Sequence, residues 1–66
     1  MEVDVKRLRV LMAEKGFNVA SLARVSGLSP CAINLWLNHG VKPRIDSLGK
    51  LIKALNVSLD DIMKEE

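Results

Sequence analysis

The sequence predicts an all-α fold, a compact bundle of five helices. Three observations carry that expectation. Apolar residues recur at the three- and four-residue spacing of a helix face through most of the chain. Strand signals are nearly absent: there is no tyrosine, and no run of β-branched residues alternates with polar ones. Helix-starting and helix-stopping residues divide the periodic stretches into five.

Val5, Leu8, Leu11 and Met12 line one face of a first helix, about Asp4 to Lys15. Asp4 caps it and Gly16 stops it, with Arg7, Arg9 and Glu14 on the opposite face. Phe17 anchors the turn that follows. Asn18 is a strong N-cap for a second helix, Val19 to about Val25, which carries Leu22 and the small Ala23. Ser26-Gly27 breaks it. Ser29-Pro30 then reads as N-cap and first position of a third helix, Pro30 to about His39. Gly40 ends that helix, and Val41-Lys42-Pro43 forms a loop. A fourth helix runs from about Arg44 to Leu55, with Ile45, Leu48, Leu51, Ile52 and Leu55 toward the core and Asn56 as a left-handed terminator. Ser58 caps a short fifth helix with Asp60 and Asp61 in its first turn, where acids suit the helix dipole. Leu59 and Ile62 are expected to face inward.

The 66 residues fit one small domain, residues 1–66, with 48% hydrophobic and 27% charged composition. No apolar run reaches the roughly 18 residues a membrane span needs. Met1-Glu2-Val3-Asp4 puts acids where an export signal needs base and then a greasy stretch, so a cytoplasmic protein is expected. The single cysteine, Cys31, cannot form an internal disulfide. A chain this small rarely builds a deep pocket with several supported catalytic groups. No triad, P-loop or metal cluster is legible. The expectation is therefore a binding module: no enzyme, no cofactor, no metal, no small-molecule ligand.

Charge placement points to the partner. Val3 to Lys53 carries nine Lys/Arg against three Asp/Glu, or +6, whereas Ala54 to Glu66 carries one Lys against four acids, or −3. A basic body with an acidic tail suits a polyanionic partner, although scattered solvated charge gives the same arithmetic. The informative segment is Val19 to Asn38: helix, glycine turn, helix. Ala23 is small where two helices would cross tightly, and Gly27 supplies the positive φ of a short turn. Leu22, Leu28, Ile33 and Trp36 fill the wedge between the helices. This is the spacing of a DNA-binding helix-turn-helix.

The chain resembles the phage-repressor (Cro/C1-type, xenobiotic-response-element) helix-turn-helix family, whose fold is of the lambda-repressor-like type. The resemblance rests on Glu14-Lys15-Gly16-Phe17, Leu22-Ala23, Ser26-Gly27-Leu28-Ser29, Ile33, Trp36-Leu37-Asn38, Lys42-Pro43, Leu48 and Ala54 to Leu59, in that order. It implies sequence-specific binding of double-stranded DNA in a bacterial or phage-infected cell, usually as a homodimer and commonly as a repressor. Carried over by position, it implies that Ser29, Pro30, Cys31, Asn34, Leu35 and Asn38 face base edges. Asn34 and Asn38 lie four apart on one face, and asparagine can pair bidentately with adenine. It further implies phosphate contacts at Asn18 and Val19 and at Lys42 and Arg44, which flank the stiff Pro43. Lys50 and Lys53 would lie farther off. Val57, Leu59, Ile62 and Met63 are candidates for a dimer surface, although most of them suit the core as well.

Some positions depart from the family pattern. Val19 stands where glutamine is common, the third helix has no Lys or Arg, Ser26 stands where apolar residues are common, and His39 takes the usual place of the glycine, which falls one residue late and would let the third helix run one residue longer. A buried Arg–carboxylate pair seen in some relatives is replaced by Met12 and Leu37, which are expected to touch. These departures keep an alternative open: a protein-interaction module, such as an antitoxin or adaptor, on the same fold. Trp36 is expected in the core, by its spacing from Ile33. Cys31 reads as a small side chain before it reads as a redox switch. His39 lacks a second metal ligand nearby and suits a helix C-terminus.

Overall fold

The computed structural model describes residues 2–64. It contains four helices, α1 (Val5–Glu14), α2 (Val19–Ser26), α3 (Pro30–Asn38) and α4 (Ile45–Leu55), and then a single 3₁₀ turn, Leu59–Asp61. The fold is all-α among the described residues, but the expected fifth helix is only that turn. Its capping chemistry is present, since the Asp61 carboxylate accepts from the Ser58 N–H at 3.0 Å. What stops the helix is a competing use of the backbone. Met63 forms an isolated antiparallel bridge with Val3. The Asp4 N–H donates to the Ile62 carbonyl at 2.8 Å, and the Lys64 N–H to the Glu2 carbonyl at 2.9 Å. An extended chain satisfies those bonds and a helix would not. Glu65 and Glu66 of the acidic tail, and Met1, lie outside the described residues.

The other helices begin and end close to where their capping residues stand. Asp4 accepts from the Arg7 N–H at 3.2 Å. Asn18 and Ser21 form a reciprocal box: each side chain accepts from the other's backbone N–H, at 2.8 and 2.9 Å. α1 closes with paired bonds from Gly16 N–H to Ala13 carbonyl and from Phe17 N–H to Met12 carbonyl, with Gly16 at φ +76°. Asn56 takes the left-handed position after α4, at φ 57°. α3 stops at Asn38 with His39 as its cap, so the late glycine does not lengthen the helix.

The core draws on every helix: Leu8 and Met12 from α1, Leu22 and Ala23 from α2, Ile33, Trp36 and Leu37 from α3, and Leu48, Leu51 and Leu55 from α4, with Ile62 beyond them. No polar or charged side chain is buried among the described residues. Leu59 is only partly buried, whereas Ile62 is fully so, which removes Ile62 from the candidate dimer surface because the core encloses it. Met12 and Leu37 are both buried members of this cluster and line one hollow between α1 and α3. Apolar side chains thus occupy both positions at which the resemblance offered an ion pair in some relatives. Ile45 corrects the sequence reading. It is 78% exposed despite its helical register with Leu48, because α4 starts there and no neighbouring element reaches over it.

Leu51 is fully buried. Leu51→Ala is expected to cost about 2–5 kcal/mol, on the order of half of the roughly 3–10 kcal/mol that a chain of this size holds in reserve. Loss of a cooperative urea transition, or a large drop in its midpoint, is the check. A Cβ added at Gly27 meets nothing within 4 Å, but its φ is +76°. Gly27→Ala should therefore cost only backbone strain, about 1–2 kcal/mol, and Gly27→Asn less, as read from the same urea midpoints.

Candidate nucleic-acid interface

Helix α3 has two faces with different duties. Ile33, Trp36 and Leu37 point into the core, and Trp36 is 6% exposed. Pro30, Cys31, Asn34, Leu35 and Asn38 are exposed, at the spacing of one helix stripe. Ser29, also exposed, caps the helix by accepting from the Ala32 N–H at 3.4 Å. All six residues expected at base edges therefore share the outer side or start of one helix. α2 packs against α3 and α4 and sets the tilt of that stripe. The turn between α2 and α3 is tied by Ser26, whose hydroxyl donates to the Ala23 carbonyl at 3.4 Å and accepts from the Leu28 N–H at 3.2 Å. Those two hydrogen bonds are what the Ser26 hydroxyl contributes to the turn.

A hydrogen-bonded chain crosses from α1 onto this stripe. Arg9 Nη2 donates to the Asn38 Oδ1 at 2.6 Å and to the Leu37 carbonyl at 3.1 Å. Asn38 Nδ2 donates in turn to Asn34 Oδ1 at 2.6 Å. The Leu37 carbonyl is one of the last in α3, where the helix offers no N–H partner. α3 has no basic residue in its own last turn, so Arg9 supplies the cation its C-terminus favours.

The start of α2 lies beside that crossing. Arg9, Met12, Ala13, Phe17, Asn18, Val19 and Leu37 line a shallow hollow of about 280 Å³. The Asn18–Ser21 box occupies the Asn18 and Ser21 N–H groups, which leaves those of Val19 and Ala20 without an intrahelical carbonyl in reach. Lys42 and Arg44 stand apart from this hollow. Both are exposed, and Arg44 precedes α4 without making a side-chain cap bond. Lys42 lies by a second hollow, lined in part by Glu2, Trp36, Pro43 and Lys64. Its Nζ is 3.4 Å from the Glu2 carboxylate, which Lys64 also approaches at 3.7 Å.

A family model of the Cro/C1-type HTH DNA-binding domain matches residues 7–66. The chain belongs to that family. No curated protein matches it. Membership fits the α2–turn–α3 geometry. Among the described residues, no helix is long and apolar enough to cross a membrane.

Two residues of this Cro/C1-type domain escaped the sequence reading. The helical period puts Arg9 on the solvent face of α1, and it is exposed, but it also reaches the end of α3. The clue was the expected Met12–Leu37 pairing, because one turn earlier on α1 the side chain passes over the end of α3. The sequence marks Glu2 only as an acid near the N-terminus. Its link to Lys42 and Lys64 follows from the bridge between chain ends, which no local pattern announces.

The hydrogen bond and charge of Lys42, with that of Lys64, hold the Glu2 carboxyl below its usual 4.5. A carboxyl lowered in the folded state stabilises it above the ordinary value, and that contribution is lost as pH falls through the lowered one. Glu2→Gln is therefore expected to speed amide exchange at Asp4 and Lys64 at neutral pH. The difference from the parent chain should vanish in acid once Glu2 is protonated, as hydrogen-exchange NMR would register.

Proposed function

We propose that this chain is a sequence-specific transcriptional regulator that places α3 in the major groove of duplex DNA. It acts as a homodimer on a pseudo-palindromic operator with half-sites about one helical turn apart, and it represses by blocking polymerase access in the cytoplasm of a bacterial or phage-infected cell. The observation that carries the reading is the division of α3: its inner face is locked in the core, and its outer stripe is exposed in a family that binds DNA. In this reading Asn34 and Asn38 address base edges, with Ser29, Pro30, Cys31 and Leu35 lying against the groove floor. The Val19 and Ala20 N–H groups beside Asn18, together with Lys42 and Arg44, hold phosphates.

One observation favours a second reading, a protein-interaction module. α3 carries no Lys or Arg, while Leu35 is 38% and Val25 57% exposed. Selection from random duplex DNA at moderate salt separates the two. An enriched, roughly palindromic motif supports the dimeric regulator. No enrichment, with weak bulk binding at low salt, supports the interaction module.

Variants refine the assignment. Asn34→Ala is expected to cost about 1–3 kcal/mol of discrimination at one base position. Lys42→Ala and Arg44→Ala should instead weaken binding evenly across sequences and lower the salt slope by about one each. Binding isotherms over a salt series distinguish these patterns.

A further inference from the structure

We propose that Arg9, outside the helix-turn-helix, is a positioning residue that fixes the hydrogen-bonding polarity of the Asn34–Asn38 pair, so that the pair reads guanine rather than adenine. The inference rests on the DNA-binding reading above and deepens it. A guanidinium has only donors, so the atom of Asn38 facing Arg9 must be the oxygen. The amide nitrogen of Asn38 then faces Asn34, and only the Asn34 oxygen can accept from it. The orientation of both amides follows from one charge on α1.

The consequence is an excess of donors on the outer stripe. Arg9 occupies the Asn38 oxygen, and Asn38 engages the Asn34 oxygen. The two N–H bonds of the Asn34 amide and the second N–H of Asn38 remain, against one lone pair on each oxygen, so free donors outnumber free acceptors three to two. In the major groove guanine offers two acceptors, N7 and O6, and no donor, whereas adenine pairs its N7 acceptor with an N6 donor that needs an oxygen. A donor-rich asparagine pair therefore matches guanine. The adenine pairing that a free asparagine makes requires its oxygen and nitrogen together, and the network restrains that presentation. Arg9 also holds the Leu37 carbonyl at 3.1 Å, which anchors it over the helix end and keeps the fork aimed at Asn38.

The test compares motifs selected from random duplex DNA by the parent chain, Arg9→Met and Arg9→Lys. Asn34→Ala marks the base position the pair addresses, as the one whose preference it relaxes. Arg9→Met keeps the aliphatic stem and removes every donor; Arg9→Lys keeps charge and donors. The parent should prefer guanine over adenine at the marked position by on the order of tenfold. Arg9→Met should lose that preference, and Arg9→Lys should retain most of it. An adenine preference in the parent overturns the proposal. So does an unchanged motif in Arg9→Met with evenly weaker binding, which makes Arg9 a phosphate cation only. Circular dichroism confirms that each variant is folded. Side-chain amide NMR without DNA follows the network itself: the Asn38 NH₂ signals should shift in Arg9→Met. If they shift but the parent enriches no motif, the DNA-binding reading has failed and the base preference with it. If they do not shift, the network is absent in solution and the positioning role is overturned directly.

Discussion

Everything exposed on α3 depends on what α3 buries. Ile33, Trp36 and Leu37 are held at 0, 6 and 8% exposure by residues from the other helices. Because a helix turns about 100° per residue, fixing those three side chains fixes the azimuth of the others. Pro30, Cys31, Asn34, Leu35 and Asn38 have no freedom to rotate away from solvent unless the core is repacked. A close-packed interior resists such repacking, so the outer stripe is a rigid feature of the surface. Preorganisation of this kind lowers the entropy lost on binding and lets short polar side chains discriminate.

The same logic explains how so small a chain affords an ordered interface. No buried polar group weakens the core among the described residues, and the Met12 and Leu37 positions are apolar. Polar interactions are placed at the edges instead: capping side chains at the starts of α1, α2 and α3, the Ser26 hydroxyl in the turn, and Arg9 over the end of α3. Each is local or partly exposed, so none carries the desolvation cost of a buried charge. The Glu2 link to Lys42 and Lys64 draws the two chain ends together at the surface, where ion pairs are weak and easily exchanged for another anion.

The legible part of the structure was the part governed by local rules. Asp4, Asn18, Ser29, Gly16, Gly27 and Asn56 mark ends that cap chemistry and backbone sterics decide within a few residues. Trp36 was legible as core from its register with Ile33, and the outer α3 stripe is the complement of that register. Besides the Glu2 link, three features were not legible, for one shared reason. Ile45 obeys the helical period yet projects beyond the rim of the core, so periodicity cannot tell that its neighbours end. The 3₁₀ turn has helix-starting residues but is overruled by the bond between the Ile62 carbonyl and Asp4, at the far end of the chain. Arg9 meets Asn38 29 residues away. All three are decided by tertiary placement, which capping and period do not encode.

Whether the outer stripe of α3 is the DNA-binding surface is most directly answered by titrating the ¹⁵N-labelled chain with duplex DNA at low salt and following backbone and side-chain amides. The account predicts that the largest shifts fall on the Asn34 and Asn38 side chains, the Ser29–Leu35 backbone and the Val19–Ala20 amides, with smaller ones from Gly40 to Arg44. Shifts centred on the groove lined by Lys6, Val10 and Glu14, with α3 unmoved, would contradict it.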